Sequence, residues 1–279
     1  MAHTAGGSIR SKILAAPAWI IVIILVLGPL YWVATSAFKD AQEIIRQSPT
    51  LFPHHWVATN FSTLFASTQY ATYLRNSLEV AIGTAVLTVV IATAAAYGLY
   101  RLNVPGGRAL GGIILLSYMV PGTLLLVPVY RIMASLNLIN TLTSLVIVNV
   151  AFTAPFCVWL LRGFLDSIPR ELDEAASIDG AGRIRIMVMI VLPLLRPGLA
   201  TLAMYAFVYS WTEFVFASQL GVSDSKKTLP VGLTDIVGSY NINWGWVMAG
   251  AVIAAVPGIL FFAVGGRFFI RGLTQGAVK

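Results

Sequence analysis

The groups that could do chemistry in this chain are few and unevenly placed. Five of its eleven acids fall in one stretch: Asp166, Glu171, Asp173, Glu174 and Asp179. Glu213 stands apart, in an apolar run beside Tyr209 and Trp211. His54 and His55 are adjacent and could ligate a metal, but no third ligand is in sight, so they read as part of an interfacial loop. Cys157 is the one cysteine. Alone it makes neither an intrachain disulfide nor a metal site, and reads as a packed structural residue. No G-x-x-x-x-G-K-[ST] run occurs, so the chain has no phosphate cradle of its own for ATP. It is expected to be no enzyme and to hold no cofactor or metal.

The elements that position these groups belong to a membrane protein. Of 279 residues, 58% are hydrophobic and only 10% charged, well under the roughly 25% charged residues that cover a soluble domain. The formal charge of +7 comes from scattered residues rather than a basic block, which argues against nucleic acid. A membrane-spanning helix needs about 20 mostly apolar residues. Six stretches qualify: Ile13–Phe38, Ser77–Tyr100, Ala109–Met133, Leu142–Leu165, Gly198–Leu220 and Trp246–Ile270. The first is too long for the apolar core of a signal peptide and reads as a retained span. The expectation is an all-α polytopic membrane protein with six transmembrane helices, in contact with lipid. Residues 1–12 form a cytoplasmic tail and 13–279 a single membrane domain. Basic residues set its orientation. With the N-terminus inside, twelve of the eighteen Lys and Arg fall on the cytoplasmic side, so both termini are expected there.

Local signals refine this. Asn76 and Glu79 have the spacing of an N-cap and its N3 acid at the start of the second span. Pro121-Gly122, Pro128, Pro155 and Pro257-Gly258 interrupt spans, because proline removes a helical hydrogen bond. They read either as hinges or as static kinks. The cytoplasmic segment 166–197 is longer than a connector requires. It reads as a helix capped by Ser167, with Pro169 in its first turn and its acids at the positive end of the dipole. Leu172, Ala175, Ala176 and Ile178 make a small apolar face. Gly180 is the stop, and a second helical stretch runs from about Arg183 to Leu192-Pro193. Such a unit is either an amphipathic helix on the membrane surface or a dock for a soluble partner.

Glu174-Ala175-Ala176, three residues, Gly180, nine residues, Ile190, one residue, Leu192-Pro193 resembles the EAA signature of binding-protein-dependent importer permeases. Asp179 and Ala181 strengthen the match. Pro53 with Asn60-Phe61, Asn76-Ser77-Leu78, Trp211-Thr212-Glu213, Thr228 to Leu233 and the ending Gly272 to Lys279 resemble maltose-type (MalG-like) carbohydrate permeases. The resemblance implies a sugar importer in the bacterial inner membrane. Its partners would be a second homologous permease, an ATPase dimer holding the ATP and magnesium, and an extracytoplasmic solute-binding protein. Glu174, Ala175, Ala176, Asp179, Gly180, Ala181, Leu192 and Pro193 would form the coupling helix and its surroundings. The tail 271–279 would touch the ATPase, and Tyr240, Asn241 and Asn243 in the last outer loop would reach the binding protein; an ordinary polar turn is the other reading of that loop.

On this reading Tyr209 and Trp211 are candidates to stack on sugar faces and Glu213 to accept sugar hydroxyls. A carboxylate at mid-span costs about 2.5–3.5 kcal/mol, so it faces a bundle interior or a water-filled path. Pairing with the second permease, or a place near the outer interface, is the competing account of Glu213. Importers of glycerol phosphate or oligopeptides, and an ion-coupled secondary transporter, are the alternatives for the whole chain.

Overall fold

The computed structural model describes residues 9–102, 104–238 and 242–277. Every regular element among them is helical. Helix α1 is Ile9–Ser36. Helix α2, Tyr70–Ala96, runs on through a π-turn at Tyr97–Arg101. Then come α3 (Gly107–Tyr118), α4 (Leu126–Ser135), α5 (Leu142–Asp166) and α6 (Glu171–Ile178). Helix α7 (Arg183–Ile186) leads through a second π-turn, Met187–Val191, and a short turn, Leu192–Leu194, into α8 (Arg196–Thr212). Helices α9 (Val215–Leu220), α10 (Leu229–Gly238) and α11 (Trp244–Ala277) follow.

Among the described residues, three helical stretches are long and apolar enough to cross a membrane: Tyr70–Arg101, Leu142–Asp166 and Trp244–Phe261. A shorter apolar stretch, Ile21–Ser36, lies in α1. The third expected span is a broken helix, and a second sharp bend stands just before the fifth. Ala109–Tyr118 meets Gly122–Ser135 at 86°, and Arg183–Leu194 meets Arg196–Thr212 at 79°. The first break has a local cause: Pro121 sits at ψ 124°, outside the helical region, and has no N–H to continue the ladder. Pro155 and Pro257 lie inside unbroken helices. The fifth span ends at Thr212 rather than at Leu220, because Glu213 takes an extended backbone.

The start of the second span also differs from expectation. Helix α2 begins at Tyr70, so Asn76 lies inside it and is no cap. Its side-chain amide donates instead to the carbonyls of Ser225 (3.0 Å) and Lys227 (2.8 Å). Glu79 pairs with Arg75 one turn back, at 2.6 Å. The contacts Asn76 makes are far away in sequence, where a local capping pattern carries no information.

The chain forms two compact units, Met1–Thr68 with Asp235–Ile253 and Gln69–Thr234 with Ala254–Lys279. In the first, buried Asn60 donates to the carbonyls of Ala37 (2.9 Å) and Lys39 (2.8 Å). Buried Lys39 lies 4.2 Å from the Trp32 ring centre. In the second, α2, α5 and α8 pack most closely. Small residues on α2, namely Ala81, Ala85, Ala92 and Ala96, let the helices approach. Val158, Leu161, Leu165 and Leu202 fill the core. A polar seam crosses it: Thr88 and Thr153 hydroxyls lie 2.8 Å apart, and Asn149 donates to Ser210 at 2.9 Å. Where lipid supplies no partners, such bonds between helices hold the bundle together.

Candidate functional site

The segment between α5 and α8 is a corner packed against the membrane helices. Ser167 does not cap α6; it closes α5, its hydroxyl donating to the Phe164 carbonyl at 2.7 Å. Helix α6 opens after Arg170 with Glu171, Asp173 and Glu174 in its first turn, where the helix dipole favours anions. It closes on Gly180 at φ +81°. The Ala181 N–H reaches back to the Ala176 carbonyl (2.9 Å) and the Gly180 N–H to that of Ser177 (3.1 Å), which satisfies carbonyls that a helix end leaves unpaired.

Burial sorts the residues of this corner. Ala176 and Ala181 pack against the membrane core, whereas Glu174, Ala175, Asp179 and Gly180 are exposed. Leu192 is half-buried and Pro193 exposed, inside a helical turn that continues to Leu194 rather than ending at Leu192-Pro193. Ile178 and Ile184 are 87% and 77% exposed. Two β-branched apolar side chains standing out beside an acidic helix turn make a protruding knob with an apolar tip.

Arg101 completes the site, and sequence reasoning used it only as a mark of orientation. It ends the π-turn of α2 with its side chain 3% exposed. Its Nε donates to Asp173 Oδ2 at 2.6 Å and Nη2 to Asp173 Oδ1 at 3.2 Å. Nη1 donates to the carbonyls of Leu165 (3.3 Å) and Ile168 (2.7 Å), and Nη2 to that of Pro169 (2.8 Å). Around it, the Arg170 guanidinium donates to the Tyr100 carbonyl (3.2 Å) and the Tyr97 hydroxyl to that of Arg183 (3.3 Å). The available signal was a basic residue ending an apolar run, followed later by an acid in a short helix.

The three candidates near the end of α8 separate. Trp211 is buried, stacked on Phe207, and its Nε1 donates to the Ala254 carbonyl at 3.2 Å. The Glu213 carboxylate caps α9, accepting from the Phe216 N–H (2.7 Å) and Ala217 N–H (2.9 Å). Tyr209 belongs to a different face. Its ring lies 6.3 Å from Tyr205, whose hydroxyl donates to that of Tyr118 (3.0 Å), with Phe156 packed on both. Asn243 accepts from the Trp246 N–H at 3.2 Å, as a cap of α11. Tyr240 and Asn241 lie outside the described residues.

Residues 88–275 match a family model described as binding-protein-dependent transport system inner membrane component. The chain is 35% identical over 259 residues to the inner membrane ABC transporter permease protein YcjP of Escherichia coli, with 92% of each chain covered. It is 32% identical over 260 residues to the diacetylchitobiose uptake system permease protein DasC of Streptomyces coelicolor, covering 93% of this chain and 94% of that one. Its fold matches a chain from the crystal structure of a bacterial ABC transporter that imports the acidic polysaccharide alginate. There the TM-score is 0.83 at 20% identity, with 96% and 99% of the two chains covered.

Proposed function

This chain belongs to the family of binding-protein-dependent transport system inner membrane components, and on that premise we propose that it is a permease subunit of an ATP-driven importer of sugars or oligosaccharides. The observation that carries the reading is the corner built by α6, Gly180 and α7. It is braced on the membrane helices from behind and offers Glu174, Ile178 and Ile184 to a soluble partner. An ATPase dimer, with its own ATP and magnesium, is that partner. Closing on ATP, it moves the corner and turns the spans from inward-facing to outward-facing, a two-state switch. The sugar assignment is supported by the diacetylchitobiose relative.

A second permease and an extracytoplasmic solute-binding protein complete the assembly, with both termini of this chain in the cytoplasm. Of the pathway candidates Tyr209 keeps that role, with Tyr205, Tyr118 and Phe156 beside it. These rings offer flat apolar faces and hydroxyls to a sugar. Glu213 and Trp211 hold the outer end of α8 in place. Asn243 and its neighbours in the last outer loop face the binding protein, and the tail 271–279 the ATPase.

The test is purification of the whole complex with Glu174→Arg beside wild type. Wild type should co-purify its ATPase and show ATP hydrolysis stimulated by sugar-loaded binding protein. The charge reversal should abolish that stimulation. Co-purification of no ATPase with the wild-type chain, or full stimulation in the variant, overturns the reading.

A further inference from the structure

We propose that Arg101 is the positioning residue through which the cytoplasmic corner drives the membrane helices. The proposal rests on the reading of α6 as the ATPase dock and adds the route by which a load on it reaches the core.

The covalent routes out of α6 are poorly suited to that task. Toward α8 the chain passes Gly180 at positive φ, then Gly182, then a 79° bend. Toward α5 it passes a four-residue link, Ser167–Arg170, with no regular structure. A push on α6 along either would be absorbed by backbone torsions. Arg101 bypasses both. A guanidinium has five N–H donors in one plane, and here each meets an acceptor: two on Asp173 of α6, one on the end of α5 at Leu165, and two on the link at Ile168 and Pro169. One planar group on α2 therefore fixes the first turn of α6 and the end of α5 together. Burial makes the joint stiff, because any displacement strands a charge away from water. Beyond it, α2 and α5 are the most closely packed pair of helices, so α6, α2 and α5 move as one body.

Lysine keeps the charge of Arg101 but loses the fork, and Asp173→Asn keeps the shape but loses the charge. The experiment uses the full complex in lipid nanodiscs, with ATP and magnesium as the probe. A bimane fluorophore on Glu79→Cys, in the outer part of α2, reports whether ATP binding inside reaches the outside. Cys157 is fully buried and leaves that label alone. With Arg101 intact, ATP should change the bimane emission. With Arg101→Lys or Asp173→Asn the ATPase should still co-purify, but the response should fall about tenfold or more, as for loss of a buried ionic contact.

An undiminished response in either variant that assembles overturns the proposal. Failure of both variants to assemble also overturns it and leaves Arg101 a folding residue. Should the intact complex bring down no ATPase, the dock itself is misread, a failure visible before any variant is made.

Discussion

The two ends of α2 are both fastened to a distant loop, and they are fastened differently. At its N-terminal end the fasteners are neutral. Asn76 donates to two carbonyls of the segment before α10, and the Ser77 hydroxyl accepts from the Leu229 N–H at 2.8 Å. Gly232 lets α10 lie against Tyr73, where an added Cβ would run into the ring. At its C-terminal end the fastener is an ion, Arg101, buried and fully paired. Neutral amides and hydroxyls fix a loop at modest desolvation cost, and losing one weakens the contact by degrees. A buried ion holds stiffly and fails abruptly. The abrupt kind sits where the proposed ATPase would push.

Four substitutions sharpen or break that contrast, each read as thermal unfolding of the purified complex. Arg101→Met should have the largest effect, about 3–5 kcal/mol, because Asp173 would be left beside three unpaired carbonyls. A loss below about 1 kcal/mol would show that the Arg101 joint is no stiffer than an exposed pair. Asn76→Leu should cost about 1–3 kcal/mol by stranding the carbonyls of Ser225 and Lys227, and no more, or the two ends do not differ in kind. Gly180→Ala should cost about 1–2 kcal/mol through the left-handed backbone alone, since nothing lies within 4 Å of the added carbon. Glu79→Gln should change stability by under about 0.5 kcal/mol, the worth of an exposed i,i+4 pair with Arg75. A loss near 2 kcal/mol there would restore the cap that α2 does not show.

In the segment after α1, pH offers a finer test. Thr50 donates to the Glu43 carboxylate at 2.6 Å, and with the His54 N–H holds its pKa below the usual value of 4.5. The stabilisation is therefore present above that value and is lost as pH falls through the lower folded one. Glu43→Gln should flatten the acid limb of a melting-temperature profile.

What the sequence made legible was local or repetitive. The apolar runs marked the spans, and the corner could be read from Glu174-Ala175-Ala176 and from Gly180, whose positive φ is the reason a glycine stands there. What stayed hidden was long-range. Asn76 looked like a cap because its partners lie about 150 positions away, and Arg101 looked like an orientation mark because Asp173 is 72 away. Hydropathy ran the fifth span smoothly past Glu213, where a carboxylate in fact starts a new helix. Nearness in sequence grouped Tyr209 with Trp211, although two residues apart on a helix they point to different faces of α8.

The π-turn that carries Arg101 has an evolutionary consequence. Its widened ring, closed by the Leu102 N–H on the Tyr97 carbonyl, takes up one residue more than an α-turn. Removing a single residue between Tyr97 and Tyr100 would restore regular winding with Arg101 close to its present bearing, because the wide turn is what absorbs the extra residue, whereas a further residue that the turn does not absorb would swing Arg101 by about 100° around the helix axis. The guanidinium would then leave its acceptors although no contact residue had been mutated. Lineages of this chain should therefore tolerate loss of one residue from that turn far better than gain of another.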